Sequence, residues 1–177
     1  YAVGVANGLD ALVLGLRALK VGPGDEVIVP SNTYIASWLA ISAVGATPVP
    51  VEPNPTTYNI NVKEIYKLIT PATKAIMPVH LYGQPGDLDQ IITLSKQFGI
   101  SVIEDAAQAH GAKYKRRHLG SIGDIGCFSC YPTKNLGAIG DAGLVTSNNV
   151  ELANKIRMIR EYGWKTGSVF LGAEILD

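Results

Sequence analysis

The sequence predicts an α/β fold with a mostly parallel, mixed sheet and helices on both of its faces. Short apolar runs, which are typical of buried strands, alternate along the chain with longer segments whose apolar residues recur at helical spacing. Clusters of Gly, Pro, Asn and Asp separate the two kinds of segment. Because this alternation favours parallel strands joined by crossover helices, we expect helices to cover both faces of one sheet.

The composition is that of a chain with one sizeable core. The chain has 177 residues, 47% of them hydrophobic, and this length argues for a single domain. The 15 Lys and Arg residues balance 15 Asp and Glu residues, so no basic excess points to nucleic acid or to an anionic membrane. No apolar run is long enough to span a bilayer, and we expect a soluble, cytoplasmic protein.

The beginning of the chain predicts a strand, a tight turn and a helix. The strand covers residues 3–6 and ends at Asn7 and Gly8. The helix that follows has one apolar face, formed by Leu9, Leu12, Val13, Leu16 and Leu19. Backbone N–H groups at the start of such a helix can bind an anion.

The middle of the chain continues the alternation. Strands are predicted at residues 26–30, 48–51, 74–79 and 100–103, and helices at residues 34–44, 62–69 and 88–98. Asp87 is expected to cap the third of these helices and Gly99 to end it. In the helix at residues 34–44, the expected core face consists of Ile35, Trp38, Leu39 and Ser42.

The last part of the chain returns to the core after a solvated turn at residues 113–117. Strands are predicted at residues 124–129 and 142–146, and an amphipathic helix at residues 150–162. Ligands of open α/β sheets gather at the carboxyl ends of the strands. Asp105, Lys134 and the Gly8 turn are therefore expected near one edge of the sheet.

The chain is organised around residues 127–143, where a strand pattern stops at Pro132 and a single lysine, Lys134, follows. A lysine on a tight turn at the end of a core strand is well placed for Schiff-base chemistry. Desolvation would lower its pKa and free the amine as a nucleophile. Taken alone, this stretch favours a solvated loop lysine, and only the rest of the chain reverses that preference.

Asp105 is the second candidate for a functional residue. It stands at the end of a predicted strand and is followed by two alanines, so a surface position is not expected. A buried carboxylate needs a cationic or hydrogen-bonding partner. The competing interpretation from local sequence is that Asp105 caps the N-terminus of a helix.

The two cysteines, Cys127 and Cys130, form a C-x-x-C pattern inside a predicted strand. Residues three apart on a strand point to opposite faces, so a disulfide between them is geometrically poor. A zinc site would need two more ligands, and the three histidines show no ligand-pair spacing. We expect both cysteines to fill the core and expect no metal.

Three segments in this order resemble the sugar-nucleotide aminotransferases of the DegT/StrS family. They are Gly-Val-Ala-Asn-Gly-Leu-Asp-Ala-Leu at residues 4–12, Glu-Asp-Ala-Ala-Gln-Ala-His-Gly at residues 104–111 and Phe-Ser-Cys-Tyr-Pro-Thr-Lys-Asn-Leu-Gly at residues 128–137. The resemblance implies pyridoxal 5'-phosphate (PLP) as cofactor and the large domain of the aspartate-aminotransferase fold (fold type I).

The resemblance also implies a role for each matching residue. Lys134 matches the lysine that forms the internal aldimine, and Asp105 matches the carboxylate that faces the pyridine nitrogen. The remaining cofactor contacts are Gln108 near the ring hydroxyl, Ser129 and the backbone of Gly8 and Leu9 at the phosphate, and Tyr34 stacked on the ring. Leu9 departs from the family, which often has Thr there. His110 is expected either to contact the sugar or, as we favour, to satisfy a core hydrogen bond.

The similarity runs from about residue 3 to about residue 165. It implies an incomplete PLP-binding large domain at residues 1–165, an atypical tail at residues 166–177 and an absent C-terminal small domain. The implied reaction is transamination at C3 of a nucleotide-linked keto-deoxysugar, with an amino acid such as glutamate as donor. A homodimer is implied as well.

Three alternatives to an active aminotransferase are considered. A Rossmann nucleotide-binding domain is disfavoured because Gly137, Gly140 and Gly143 do not have its glycine spacing and a strand follows them. A PLP dehydratase of the same family is disfavoured because the resemblance implies a histidine in place of Lys134. A non-catalytic truncated fragment that folds or dimerises without turnover remains open.

Overall fold

The computed structural model describes residues 1–163. The expected tail at residues 166–177 lies outside the described residues. The elements in chain order are β1 Ala2–Val5, α1 Gly8–Ala18, β2 Glu26–Pro30, α2 Ile35–Ala43, β3 Thr47–Val51, α3 Val62–Leu68, β4 Thr73–Ile76, a 3₁₀ turn Leu81–Gly83, α4 Leu88–Phe98, β5 Ser101–Asp105, β6 Lys113–Tyr114, β7 Arg117–His118, β8 Ile125–Ser129, β9 Gly143–Thr146 and α5 Val150–Arg160.

Seven of these strands form one sheet in the order β1-β9-β8-β5-β4-β2-β3. The pairs from β8 to β3 are parallel, whereas β9 is antiparallel to both of its neighbours. Only β9 therefore runs against the other strands of this sheet. The predicted fold class, a mostly parallel mixed sheet, is confirmed.

Helices lie on both faces of the sheet. Successive side chains of a central strand point to opposite faces, and the helices bury both sets. Val27 and Val29 of β2 join a core with α1, α2 and α5, whereas Ile28 joins a second core with α3 and α4. A strand that is buried on both faces has a continuous apolar sequence, as β2 has.

Helix ends follow local capping chemistry. The Asn7 side chain accepts a hydrogen bond from the Asp10 N–H at the start of α1. Asp87 caps α4, and Gly99 ends it in the left-handed conformation with φ of 66°. Both predicted signals for α4 are confirmed.

The predicted core face of α2 is wrong except at Trp38, which packs partly buried against the core. Ser37, Ala40 and Ile41 are the buried residues of this helix, whereas Ile35 and Leu39 are 56% and 49% exposed. Apolar residues lie all around α2, so their periodicity could not select the buried face. Packing against α1 selected it.

The segment predicted as a solvated turn at residues 113–117 is a small β-hairpin. Its strands β6 and β7 pair through Lys113 with His118 and Tyr114 with Arg117. The two turn residues, Lys115 and Arg116, have φ of 46° and 69°, the left-handed values that a two-residue hairpin turn requires.

Candidate functional site

The candidate site lies where β1, β5 and β8 end, at the carboxyl edge of the sheet. Asp105 is the last residue of β5 and pairs with Cys127 of β8, and Ser129 is the last residue of β8. Gly8 follows β1 after a two-residue turn and starts α1. The structure thus brings the Gly8 turn, Asp105 and Ser129 to the predicted edge.

Gly8 and Ser129 are packed against each other. A Cβ built on Gly8 would lie 2.6 Å from the Ser129 Cβ and 3.1 Å from its Oγ. A residue larger than glycine would therefore overlap the Ser129 side chain. Ser129 Oγ accepts a hydrogen bond from the Tyr131 N–H at 3.3 Å, so its own hydroxyl proton can be donated elsewhere.

The N-terminus of α1 offers backbone donors at this place. Helix geometry leaves the first N–H groups of a helix without intrahelical partners. The Asn7 cap takes the Asp10 N–H at 2.8 Å, which leaves the N–H groups of Gly8 and Leu9 for an anion. The helix dipole favours such an anion as well.

Substituting Gly8 by alanine is expected to destabilise the fold by about 1–3 kcal/mol, because the new methyl group overlaps the Ser129 side chain. The intrinsic helix propensity of alanine would act in the opposite direction by at most about 1 kcal/mol. Chemical denaturation measures the free energy of unfolding. Gly4→Ala is the control, since a Cβ at Gly4 meets nothing within 4 Å. Equal stability of the two variants would contradict the packing described.

Asp105 is a buried carboxylate with two neutral donors. The Ser37 hydroxyl donates to Oδ2 at 2.8 Å, and the Ala107 N–H donates to Oδ1 at 3.1 Å. Burial raises the pKa of Asp105, while Ser37, Ala107, His80 and Lys134 act to lower it. The raised pKa means that the ionised carboxylate lacks a full cationic partner in the described chain.

The interpretation of Asp105 as a helix N-cap is wrong. The residues after Asp105 form turns and no helix begins there. The bond from the Ala107 N–H to Oδ1 closes a local turn of the Asx type. This turn leaves the carboxylate at the strand end, where it faces the site.

Lys134 lies in the loop that follows β8. Its backbone N–H donates to the Tyr131 carbonyl at 2.8 Å, which closes a tight turn around Pro132. Its side chain is only half-buried, so the desolvation that the sequence suggested is incomplete in the described chain. The charge of its amine acts to lower the pKa of both Asp105 and His110, so Lys134 lies close enough to both groups to influence them.

The other predicted cofactor residues surround the same edge. The Gln108 side-chain oxygen accepts a hydrogen bond from the Tyr82 N–H at 2.8 Å, which fixes the amide next to the 3₁₀ turn. Tyr34 precedes α2 as its N-cap residue and is 72% exposed. Its stacking role stays a prediction.

The core hydrogen bond expected of His110 is at most a poorly formed one. Among the described residues, neither buried ring nitrogen has a hydrogen-bond partner of good geometry, but the Ser129 backbone is near enough that it acts to raise the pKa of the ring. The ring instead packs on Phe128, with 5.3 Å between ring centres. Burial lowers the pKa of His110, so the neutral ring is favoured.

Sequence reasoning missed the partners of Asp105. Ser37 lies 68 positions away in sequence, and its only signal was a polar residue within the apolar helix α2. Ser37 also shares a hydrogen bond of 2.9 Å with the Thr33 hydroxyl. The pair His80 and Glu104, which lies behind Asp105, was missed as well.

The cysteines are core side chains, as predicted. Both are buried and unbridged, and the Cys127 thiol donates to the Ala11 carbonyl at 3.2 Å. Within residues 1–163, no group of three or more His, Cys, Asp or Glu side chains is arranged to hold a metal ion. In the same part of the chain, no helix combines the length and apolarity needed to cross a bilayer.

This fold is that of the aminotransferases that use PLP. DesV of Streptomyces venezuelae, solved in complex with a ketimine intermediate, superposes with a TM-score of 0.92 at 53% identity, over 96% of this chain and 46% of that one. NtdA of Bacillus subtilis, solved with bound PMP, the amino form of the cofactor, superposes with a TM-score of 0.89 at 38% identity, over 95% of this chain and 38% of that one.

The chain belongs to the DegT/DnrJ/EryC1/StrS aminotransferase family, whose sequence profile matches residues 1–173. The dTDP-3-amino-3,6-dideoxy-alpha-D-galactopyranose transaminase of Aneurinibacillus thermoaerophilus is 60% identical over 163 residues, which are 92% of this chain and 45% of that protein. The chain thus spans about half the length of the curated relatives it matches.

Proposed function

We propose that residues 1–165 form the PLP-binding large domain of an enzyme that transaminates a nucleotide-linked keto-deoxysugar. The observation that carries this proposal is the meeting of a helix N-terminus, Ser129, Asp105 and Lys134 at one sheet edge. An anion site, a buried carboxylate and an amine are the three groups that a phosphorylated pyridine aldehyde requires.

The residues present fit this cofactor. The missing Cβ of Gly8 lets Ser129 pack directly against the start of α1. The serine hydroxyl and the N–H groups of Gly8 and Leu9 therefore lie together, where they would hold the phosphate. Gln108 would hold the ring hydroxyl and Tyr34 would cover the ring. The raised pKa of Asp105 indicates a carboxylate that a cationic ring nitrogen would stabilise.

Asp105 is assigned to hold a proton on the ring nitrogen. When bound, the cofactor supplies an electron sink for the charge left at the substrate carbon that loses its proton. An ionised Asp105 at the edge of β5 would keep that sink cationic. Ser37 and the Ala107 N–H keep the carboxylate in place through the two hydrogen bonds described above.

Lys134 is assigned both to bind the cofactor covalently and to move the substrate proton. Its amine sits on a turn tied to Tyr131 and its charge reaches Asp105 and His110. Once displaced by the substrate, Nζ could take the proton from the substrate carbon and return it on the same face of the ring. This is the proton transfer that transamination requires.

The substrate class is proposed from the relatives and from the sequence motifs. The Aneurinibacillus relative is named for a dTDP-linked 3-amino-3,6-dideoxy sugar, which supports amination at C3 of a keto-6-deoxyhexose. Glutamate is proposed as the amino donor. The cytoplasmic location stays a prediction.

A homodimer is proposed because apolar side chains are exposed around the site. Tyr34, Ile35 and Leu39 at α2 and Leu136 and Ile139 after β8 are all about half or more exposed. Exposed apolar surface of this kind marks association sites. A second copy of the chain is the occupant that the resemblance implies.

Self-association of the chain should therefore weaken when this surface is made polar. Leu39→Ser and Ile139→Ser are each expected to raise the dissociation constant by about tenfold or more, as for a typical interface anchor. Sedimentation velocity measures it. Tyr66→Ser is the control, since Tyr66 is 59% exposed on α3, across the sheet. Association weakened only by the Tyr66 variant would contradict the proposal.

The proposed function is tested by absorbance spectroscopy of the chain with PLP, followed by addition of amino acids. A visible cofactor band that glutamate bleaches, and that a dTDP-linked 3-keto-6-deoxyhexose then restores, is the expected result. A band that no amino acid changes would favour the non-catalytic alternative. Failure to bind PLP at millimolar concentration would overturn the proposal for this chain.

A further inference from the structure

Behind Asp105 lies a second buried ionisable pair that the proposed chemistry does not use. His80 Nε2 lies 3.0 Å from Glu104 Oε2, and both side chains are fully buried. Ionisable side chains are almost never fully buried without a reason. This pair is next to Asp105 in sequence through Glu104 and in space through His80.

Glu104 is held as a carboxylate by several donors. The N–H groups of Gly120, Ile122 and Gly123 donate to its two oxygens at 2.7–2.8 Å, and His80 adds a fourth contact. Burial acts to raise the pKa of Glu104, but the bonds from His80 and from Gly123 and Gly120 outweigh burial and leave this pKa below its usual value. Glu104 is therefore a fixed negative charge beside the imidazole.

His80 is joined directly to the backbone of Asp105. The backbone N–H of His80 donates to the backbone carbonyl of Asp105 at 3.0 Å, and the backbone N–H of Asp105 donates to the Pro78 carbonyl at 2.9 Å. Glu104 and Asp105, as successive residues of β5, point to opposite faces. The imidazole and the Asp105 carboxylate are thus separated by one layer of backbone, in an interior where charges act strongly on each other.

The second ring nitrogen of His80, Nδ1, is not used by the bond to Glu104. Nδ1 is buried and has no hydrogen-bond partner among the described residues. The ring can therefore gain a proton at Nδ1 without breaking its bond to Glu104. The charge interaction with His80 acts to lower the pKa of Asp105.

We propose that His80, held by Glu104, is a positioning residue that keeps Asp105 ionised and in place for the ring nitrogen of the cofactor. The proposal rests on the function assigned to Asp105 above. The effect of His80 on the pKa of Asp105 is present before the cofactor arrives, and His80 lies where no substrate can reach.

The other groups that face Asp105 do not act on it in the same way. Ser37 from α2 and the Ala107 N–H are neutral donors. Cys127 from β8 is neutral, because burial raises the pKa of its thiol well above the usual value. Lys134 also acts to lower the pKa of Asp105, but its amine is the group assigned to the cofactor.

The proposal is tested by measuring the ionisation of Asp105 directly. Carbon-13 NMR of the 177-residue chain, labelled at the aspartate carboxyl carbons, gives the titration midpoint of Asp105 without any cofactor. The Asp105→Asn variant assigns the signal. In His80→Gln, the amide can still donate to Glu104 but carries no charge, and the midpoint of Asp105 should rise by about 1 pH unit.

His118→Gln is the matched control, because His118 is an exposed histidine on the β6–β7 hairpin. It should leave the Asp105 midpoint unchanged. Glu104→Gln removes both the carboxylate that holds the ring and a negative charge near Asp105, so it serves as a background for a double-mutant comparison. Adding His80→Gln to Glu104→Gln should raise the Asp105 midpoint by less than His80→Gln does in the unsubstituted chain. An equal rise in both backgrounds, or no change in folded His80→Gln, would overturn the proposal.

Binding of PMP, measured by calorimetry across the same pH range, separates this proposal from the proposed function. The affinity should fall in His80→Gln, and most strongly on the acidic side. A shifted Asp105 midpoint with no PMP binding by the unsubstituted chain would support the role of His80 and oppose the cofactor assignment. PMP binding by the unsubstituted chain, with an Asp105 midpoint that His80→Gln does not shift, would support the cofactor assignment and oppose the role of His80.

Discussion

Protein in which Lys134 is replaced by alanine is expected to show no visible absorbance band of covalently bound PLP. The amine at the end of β8 is the only nucleophile that we assign to the cofactor aldehyde, and alanine has none. Any transamination should fall on the order of 10⁴-fold, the upper end of what one positioned proton-transfer group contributes. Absorbance spectra and half-reaction rates with glutamate measure the two effects.

Borohydride reduction gives this prediction a sharper form. Reduction followed by peptide mapping should find the pyridoxyl group on Lys134 in the unsubstituted chain. Lys74→Ala is the control, since Lys74 is an exposed lysine near the amino end of β4, at the opposite edge of the sheet. A specific reducible adduct on another lysine in the Lys134→Ala protein would show that the nucleophile has been assigned wrongly.

Asp105→Asn is expected to weaken cofactor binding strongly while leaving the empty fold as stable as before, or more stable. Breaking a buried charge pair with the ring nitrogen costs about 3 kcal/mol or more, which corresponds to roughly 100-fold in affinity. Most half-reaction activity should be lost as well, since asparagine cannot hold the ring nitrogen protonated.

Asp105→Asn is expected to weaken cofactor binding but not the stability of the empty fold, and the reason is the pKa of Asp105. Burial raises this pKa in the folded chain, so the folded state holds the proton more tightly than the unfolded state. Stability from this group is therefore lost as the pH rises through its folded pKa. An asparagine carries no charge that burial can destabilise. Above the folded pKa of Asp105, the variant therefore avoids the stability loss that the unsubstituted chain suffers when this carboxyl ionises.

The hydrogen bonds at Asp105 also tolerate the substitution. Asparagine Oδ1 can accept from the Ala107 N–H, and its amide can donate to Ser37 Oγ. Ser37 can in turn donate to Thr33, whose hydroxyl lies 2.9 Å away. Thermal unfolding and PLP titration of the same protein check both effects. An unfolded variant, or one with near-normal transamination, would contradict the role of Asp105.

The order of the elements and the ends of the strands could be predicted from the sequence alone. Short apolar runs and helical periodicity are local signals, and they placed Gly8, Asp105 and Ser129 next to strand ends. Parallel strands then bring these ends together at one edge, because every such strand points the same way. The location of the candidate site could therefore be predicted from the sequence, whereas its geometry could not.

The buried face of α2 could only be decided by tertiary packing. Periodicity selects a face when polar and apolar residues segregate, but α2 carries apolar residues on every side. Contact with α1 buried Ser37 and left Leu39 exposed. The serine hydroxyl gained a carboxylate partner in this way, and the exposed leucine became part of the surface proposed to pair with a second copy.

The charge environment of Asp105 was likewise set by the tertiary structure. Its partners come from positions far apart in the chain, with Ser37 on α2 and His80 after β4. A pKa depends on burial and on charges in space, and neither is encoded in neighbouring residues. The sequence by itself determined that a carboxylate, a lysine and a helix N-terminus meet at one sheet edge. Only the folded chain decided how deeply that carboxylate is buried and which groups stand behind it.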